Sequence, residues 1–204
     1  GTTAAGTYGD QLAGLSFKVP EYGTSSYEVR HNLKLNLDYS KAFFGTYQTR
    51  FSLFAETRTG TPYSLRMNSN IGSTPIWGPG NNRALLYVPD VSAFDADPAV
   101  TYDSVATYEA FRDYVVANGL EQGKIVKRNS KRMSSFTKVD LHMEQELPGF
   151  MEGTRFKVFF DMENLLNALN DKWGSYRTFS SAESIVDVTC GGAPAGTCPQ
   201  YVYS

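Results

Sequence analysis

Three side chains with acid–base or metal-binding chemistry stand at alternate positions of one segment: Asp140, His142 and Glu144. On an extended strand they would share one face, with neighbours about 7 Å apart. Such a row could supply a metal ligand or an acid–base pair. The spacing fits no established metal or catalytic motif, and a polar stripe along one strand face explains the row. We therefore predict no catalytic residue, no metal site and no cofactor here.

The two cysteines offer a second kind of chemistry. Cys190 and Cys198 bracket a Gly- and Pro-containing stretch that can bring them together. Oxidising conditions outside the cell favour a disulfide between two such residues. The alternatives are two free thiols, or metal ligands with too few partners.

A run of basic residues precedes the segment with the acidic row: Lys124, Lys127, Arg128, Lys131 and Arg132. It could attract lipopolysaccharide phosphates or a nucleic acid, or it could simply be a solvated loop. No aromatic platform is interleaved with the run, and the net charge of the chain is −2, so we predict no nucleic-acid partner. The sequence also contains no nucleophile elbow, phosphate-binding glycine loop, zinc motif or EF-hand loop, and we predict that the protein is not an enzyme.

The composition favours short β-strands as the elements that position these residues. The chain has 204 residues, of which 41% are hydrophobic and 20% charged, with 13 Tyr, 13 Phe, 18 Gly and 9 Pro. A chain rich in aromatic and turn-forming residues is typical of β architecture. The densest apolar run, Ala84 to Val88, is far shorter than the roughly 18 residues of a membrane-spanning helix. That criterion does not test strands that cross a membrane.

Two segments predict antiparallel β-hairpins, because apolar and polar residues alternate along both arms of each. The first covers residues 29–58 with a turn at 41–46, and the second covers residues 137–163 with a Pro-Gly link at 148–153. Each arm is about as long as the roughly 9–11 residues that a tilted strand needs to cross a bilayer.

The connections alternate between short and long. Residues 59–132 and 168–204 form two long excursions, and the first contains a helix signal. That helix is predicted to begin after Asp103 or Ser104 and to end at Asn118-Gly119. Short turns at one end and long loops at the other are typical of outer-membrane barrels. We predict an all-β fold: antiparallel strands of an incomplete transmembrane β-barrel, long extracellular loops and one short loop helix.

In this fold, one face of the strands would contact lipid and the other would line the lumen of the barrel. The residues expected to face lipid are Leu33, Leu35, Leu37, Phe51, Leu53, Val139, Leu141, Phe156, Val158 and Phe160. The residues expected to face the lumen are Lys34, Asp38, Arg50, Glu56, Arg58, Lys138, Asp140, His142, Glu144, Lys157 and Asp161. Alternation is equally typical of a soluble extracellular β-sandwich that binds a glycan or a protein, and this alternative stays open.

One segment resembles a late barrel strand of TonB-dependent outer-membrane receptors. It runs from Phe156 to the motif Asn164, Leu165, Leu166 and Asn167, followed by Trp173. Leu166 stands where these receptors more often have Phe, and Trp173 where they more often have Tyr. The stretch from Arg30 to Phe44 and that from Phe51 to Tyr63 also resemble the C-terminal barrel of these receptors, most closely the Oar-like branch.

The resemblance implies a function and a location. The protein would be part of a transporter in the bacterial outer membrane, in contact with outer-membrane lipid, for a large or scarce ligand that the sequence does not identify. Energy would come from the TonB complex, acting on a plug that this stretch of sequence lacks. The long loops, with their tyrosines and Trp77, would capture the ligand.

The sequence departs from the family pattern in ways that suggest a segment of a longer polypeptide. It has no plug domain and no TonB box, and the family pattern places one more strand after Ser204. Four strands are too few to close a barrel, because the smallest barrels use about eight. We therefore expect the rest of the barrel and the plug to be further partners of these residues.

Overall fold

The computed structural model describes residues 23–68, 84–175, 182–190 and 199–204. The elements are, in chain order, β1 (Asn32–Phe44), β2 (Tyr47–Arg58), β3 (Pro62–Asn68), β4 (Tyr87–Val88), β5 (Val100–Tyr102), α1 (Val105–Asn118), β6 (Lys124–Ile125), β7 (Lys131–Arg132), β8 (Phe136–Pro148), β9 (Arg155–Met162), α2 (Leu165–Leu169), β10 (Ala182–Cys190) and β11 (Tyr201–Tyr203). Neither helix is long and apolar enough to cross a membrane.

The chain divides into two compact units. The first, called the hairpin unit below, consists of Val29–Thr61 and Met133–Thr178. The second, called the loop unit because it holds most of the predicted loops, consists of Gly1–Glu28, Pro62–Arg132 and Phe179–Ser204.

The hairpin unit is an antiparallel sheet with the strand order β1-β2-β8-β9. Both predicted hairpins are confirmed, and β2 pairs with β8 so that the hairpins lie side by side. Gly45, in the turn between β1 and β2, has a φ of 63°, a conformation that favours glycine. The sheet is open in the described residues, with β1 and β9 at its edges, and they form no closed barrel.

The strand register preserves the predicted division into two faces. Leu37 pairs with Leu53, Leu53 with Leu141, and Leu141 with Met162, so one row crosses all four strands with apolar side chains. The adjacent row on the other face joins Asp38, Ser52, His142 and Asp161. A slip of one residue in any pair would mix these faces.

The motif Asn164, Leu165, Leu166 and Asn167, which follows β9, folds into a compact turn of the hairpin unit. Asn164 has a φ of 54°, and its backbone N–H donates to Asp140 Oδ1 at 2.9 Å. The Asn164 side chain donates from Nδ2 to the Gly174 carbonyl at 3.1 Å. A Cβ on Gly174, whose φ is 63°, would collide with the Asn164 side chain. The motif therefore closes the end of the sheet and leads into α2.

The loop unit contains a mixed sheet with the order β5-β11-β10-β3-β7. Two of its pairs are parallel, β3 with β10 and β5 with β11, whereas the sequence predicted antiparallel strands and loops. Parallel neighbours need a long connection between them. Each parallel pair joins a strand of residues 59–132 to a strand of residues 168–204, so the connection between the two strands includes the hairpin of β8 and β9.

Helix α1 is where the sequence predicts it. The Ser104 hydroxyl accepts a hydrogen bond from the Thr107 backbone N–H at 3.1 Å, and Gly119 ends the helix with a φ of 57°. Tyr108, Phe111 and Val115 are buried in the core of the loop unit. The helix therefore supplies part of a hydrophobic core.

An aromatic cluster forms the centre of that core. The rings of Phe94, Tyr102, Tyr108, Phe111 and Tyr203 form a contiguous set, with centroids 5.2 to 6.2 Å apart between neighbours. Tyr203 is completely buried, and its hydroxyl donates to the Tyr87 carbonyl at 2.9 Å. Segments predicted as loops thus bury a core of their own.

Candidate functional site

The apolar face of the hairpin unit carries many of the exposed large hydrophobic side chains among the described residues. Besides the row through Leu37, Tyr39 pairs with Phe51, which pairs with Met143, which pairs with Phe160. The exposed fraction of Leu33, Leu35 and Leu37 ranges from 49% to 67%. Monomeric soluble proteins rarely expose apolar patches larger than a few hundred Å², and larger patches mark interaction sites.

The β9 side of this face is equally uncovered. Phe156, Val158 and Phe160 are exposed by 45%, 56% and 53%. The inner strands β2 and β8 bury more of their side chains, because each has a paired strand on both sides. The ten residues expected to face lipid therefore lie on one continuous face, and those of the edge strands are largely open.

Polar side chains of the two inner strands interrupt the apolar face towards both of its ends. At one end, the hydroxyls of Thr57 and Thr137 lie 2.8 Å apart in a hydrogen bond between neighbouring strands. Towards the short turns, Thr49 Oγ1 donates to Gln145 Oε1 at 2.5 Å. Polar side chains paired in this way satisfy one another and reduce the cost of an apolar surrounding.

Aromatic side chains cluster at the end of the sheet with the short turns. Phe43, Phe44 and Phe150 are exposed by 50%, 66% and 95%. The Phe150 and Phe156 rings pack edge to face with centroids 4.9 Å apart. Lys41 Nζ lies 5.4 Å from the centre of the Phe43 ring. Aromatic rings beside cationic groups suit the boundary between hydrocarbon and water.

The opposite face carries paired charges. Glu144 on β8 lies between two cations, with Lys157 Nζ 2.8 Å and Arg50 Nη1 4.0 Å from its Oε1 atom. Glu146 accepts from Arg155 Nη1 at 2.8 Å and from the Gln48 backbone N–H at 3.2 Å. The sequence prediction missed Glu146 because it ended the alternation at Glu144, whereas β8 continues to Pro148.

The row of Asp140, His142 and Glu144 is divided among separate partners. Asp140 pairs with Lys138 at 2.7 Å, and His142 Nδ1 pairs with Asp161. Glu144 pairs with cations of β2 and β9, so the three side chains do not converge. Within the described part of the chain, no group of three or more His, Cys, Asp or Glu residues could hold a metal ion.

The remaining residues that the sequence predicts to face a lumen are all on this charged face. Lys34 pairs in register with Glu56, and Glu56 with Lys138, so charges of alternating sign cross three strands. Asp38 accepts hydrogen bonds from Ser52 and from Asn36, the latter at 2.8 Å. Aromatic residues also lie here, with Lys138 Nζ 5.7 Å from the Phe54 ring and His142 stacked on Phe159 at 6.3 Å. Arg58 stands 5.4 Å from the Phe136 ring.

The loop unit uses much of its predicted basic run internally. Lys124 pairs with Glu121 at 2.7 Å, Lys131 donates to the Asn118 carbonyl at 2.8 Å, and Arg132 pairs with Glu28. These contacts favour the interpretation of the run as part of a folded surface. Trp77, a candidate for ligand capture, lies outside the described residues.

The cysteine prediction falls at the border of the described region. Cys190, the last residue of β10, is disulfide-bonded. Cys198 lies outside the described residues.

Comparisons with other proteins identify no family for this chain. No protein-family model matches the sequence, and no curated protein and no solved structure matches it.

Proposed function

We propose that the hairpin unit is part of the transmembrane barrel of a TonB-dependent transporter in the bacterial outer membrane. Its apolar face would contact lipid and its charged face would line the lumen. The rest of the barrel, the plug and the contact with the TonB complex would come from polypeptide outside residues 1–204. The loop unit would lie outside the cell and take part in capture of the ligand.

The observation that carries the proposal is an apolar face aligned across four strands and uncovered. Each square ångström of apolar surface removed from water stabilises by about 25 cal/mol. The edge-strand leucines, exposed by up to 67%, leave this stabilisation unused within the chain. Hydrocarbon tails would supply it along the whole face.

Strand length and charge pairing add support. β1, β2 and β8 contain 13, 12 and 13 residues, enough for a tilted crossing that needs roughly 9–11, whereas β9 has 8 and is shorter than predicted. On the other face, carboxylates and cations pair across neighbouring strands. A polar interior with paired charges is characteristic of barrels of this kind.

The alternative from a different class is a soluble extracellular β-sandwich that binds a glycan or a protein. A sandwich covers the apolar face of each sheet with the apolar face of another. The exposure of Leu33, Leu35 and Leu37 favours the membrane proposal over this alternative.

Lipid contact can be tested residue by residue in the intact chain. In one variant a cysteine replaces Leu37, and in a second variant a cysteine replaces Asp38. The two residues are neighbours on β1, and their side chains lie on opposite faces of the sheet. Each introduced cysteine is labelled with an environment-sensitive fluorophore. The labelled proteins are folded into vesicles containing bromine-substituted phospholipids. We expect strong quenching of the label at position 37 and several-fold weaker quenching at position 38.

The pair of positions provides its own control, because both residues lie on the same edge strand and differ in the face they occupy. Equal quenching at both positions, or none at position 37, would contradict the proposal. A protein that stays dissolved and monomeric without detergent, with neither label quenched by added vesicles, would support the soluble alternative.

A further inference from the structure

One row of the apolar face differs from the rows beside it. Lys41 on β1 pairs with Thr49, Thr49 with Gln145, and Gln145 with Val158, so polar side chains stand side by side on three strands. The Thr49 hydroxyl and the Gln145 side chain satisfy each other with a hydrogen bond. Lys41 is exposed, and neither neighbour in the row can neutralise its charge. The row therefore places an exposed cation on the apolar face.

Lys41 carries the only charge on this face of β1, β2, β8 and β9, which the structure describes in full. The other side chains of the face are aliphatic, aromatic, Met, Thr or Gln. No ion pair among the described residues includes Lys41, whereas Arg155 and Lys157 have carboxylate partners within the sheet. An ammonium group on an apolar surface needs an anion or water. The face itself supplies no anion.

The depth of the row matches the border of a bilayer. On β2, Thr49 and Thr57 belong to the two polar rows and stand eight residues apart, about 27 Å along the strand. At a strand tilt of about 40° this distance spans roughly 20 Å across a bilayer, close to the apolar band of about 25 Å in known barrels. Lys41, in register with Thr49, lies at the border of the band next to the short turns. Under the proposed function, the short turns are periplasmic.

We propose that Lys41 binds the phosphate of an anionic phospholipid, such as a phosphatidylglycerol, in the periplasmic leaflet of the outer membrane. The inference rests on the proposed function and adds to it the class of headgroup that the lipid-facing side prefers. A strand that flanks β1 in a complete barrel would pair with its backbone edge and leave this face in contact with lipid. The site therefore does not require an open sheet edge.

The surroundings of Lys41 favour a headgroup with a net negative charge. A zwitterionic headgroup brings an ammonium group beside its phosphate, and this face of the strands has no carboxylate to pair with it. Along β1, Tyr39 and Phe43 flank Lys41 and are exposed by 54% and 50%, so their rings offer apolar surface to the acyl chains. One lysine near an anionic lipid surface favours binding by about fivefold.

Headgroup-selective quenching tests the site in the intact chain. The chain labelled with a fluorophore at position 37, which lies on the same face as Lys41, is folded into vesicles of phosphatidylglycerol and phosphatidylcholine in equal amounts. One set of vesicles carries bromine only on the phosphatidylglycerol and the other only on the phosphatidylcholine. We expect the ratio of quenching to report an enrichment of phosphatidylglycerol beside the label of about fivefold. Lys41→Gln should bring the two lipids to equal occupancy.

Two further variants serve as controls. Lys34→Gln removes the same charge from the same strand but from the opposite face, so it should keep the enrichment. Lys41→Arg should also keep it, because a guanidinium group binds phosphate. No enrichment in the unaltered chain, or equal losses in Lys41→Gln and Lys34→Gln, would overturn the inference. Excess inorganic phosphate should leave the enrichment in place, and its loss would overturn the assignment to a lipid headgroup.

The inference and the proposed function fail in different ways. If both sets of vesicles quench the label at position 37 equally, the sheet contacts lipid and the inference alone is wrong. If neither set quenches the label, the apolar face does not contact lipid, and the proposed function is wrong together with the inference.

Discussion

Leu35 of the hairpin unit and Leu65 of the loop unit both lie on β-strands, yet Leu35 is 49% exposed and Leu65 is completely buried. The two units bury their apolar side chains to different extents. The loop unit packs a helix and a mixed sheet around a shared core. The hairpin unit aligns its apolar side chains on one face and leaves that face open at both edge strands.

The contrast indicates where the stabilisation of each unit comes from. The loop unit buries Tyr203, Leu65 and Val115 with side chains of its own segments. The hairpin unit needs a surrounding that accepts leucine and phenylalanine on one side and charges on the other. Under the proposed function, a bilayer on one side and a wet lumen on the other would provide both.

The largest expected effect is in the core of the loop unit. Phe111 is 4% exposed, and its ring lies 5.5 Å from that of Tyr203 and 6.2 Å from that of Tyr102. Removal of a buried phenylalanine ring loses its transfer free energy and leaves a cavity. Phe111→Ala should therefore lower the free energy of unfolding by about 3–5 kcal/mol. Urea unfolding followed by near-ultraviolet circular dichroism measures the change.

Val116 is the matched control for this variant. It lies on the same helix but is 70% exposed, so Val116→Ala should change the free energy of unfolding by no more than about 0.5 kcal/mol. Similar losses for the two variants would mean that the aromatic cluster does not hold the loop unit together.

The next effect concerns the hairpin unit and depends on its surrounding. An arginine in the middle of the lipid-facing side of a barrel costs about 2–4 kcal/mol, whereas a residue facing the lumen tolerates charge. Leu35→Arg should therefore sharply reduce the folded fraction, and Asn36→Arg should preserve it. Heat modifiability in gel electrophoresis, with the chain folded in detergent or vesicles, measures that fraction.

The two arginine variants share a strand and differ by one position, so they introduce the same side chain into the two faces. Equal losses would argue against a membrane on one side only. Equal tolerance would argue that neither face meets hydrocarbon.

The hairpins were predictable from the sequence because alternation is a local signal. Leu33, Leu35 and Leu37 alternate with Lys34 and its neighbours, and this pattern sets both the strands and their faces. The pairing of β2 with β8 follows the same rule at longer range, since only a register that keeps the faces apart is stable. The boundaries of α1 were predictable for the same reason, because the capping residues Ser104 and Gly119 are a local signal.

The core of the loop unit was not predictable in the same way. Two of its strands, Val100–Tyr102 and Tyr201–Tyr203, have three residues each, which is too short for alternation to show. They pair in parallel between segments about a hundred residues apart, and no local pattern encodes such a pairing. The burial of Tyr102 and Tyr203 depends on this pairing and on the packing of α1, so no local pattern revealed it. The separate partners of Asp140, His142 and Glu144 were likewise not predictable, because those of His142 and Glu144 lie on neighbouring strands.

The smallest effect concerns a buried phenol in the loop unit. Tyr102 is 6% exposed, and its hydroxyl has no hydrogen-bond partner among the described residues. Burial, with smaller contributions from Tyr108, Asp97 and Asp90, raises the pKa of Tyr102 to about 12. The folded chain therefore holds this proton to higher pH than the unfolded chain, whose tyrosines titrate near pH 10.

The sign of the pH dependence follows from this difference. Below pH 10 both states hold the proton and the stabilisation is fully present, whereas between pH 10 and 12 only the folded state holds it, so stability falls as pH rises. The fall should be about 1.4 kcal/mol per pH unit from Tyr102, and Tyr102→Phe should remove that part of it. At neutral pH the same variant should be neutral or slightly stabilising, because it deletes a buried hydroxyl without a partner. Tyr27→Phe, at a site 92% exposed, should keep the wild-type slope in urea unfolding at pH 9 and pH 11. A Tyr102→Phe slope equal to that of the wild type would place the alkaline sensitivity in other groups of the loop unit, such as the buried Tyr203.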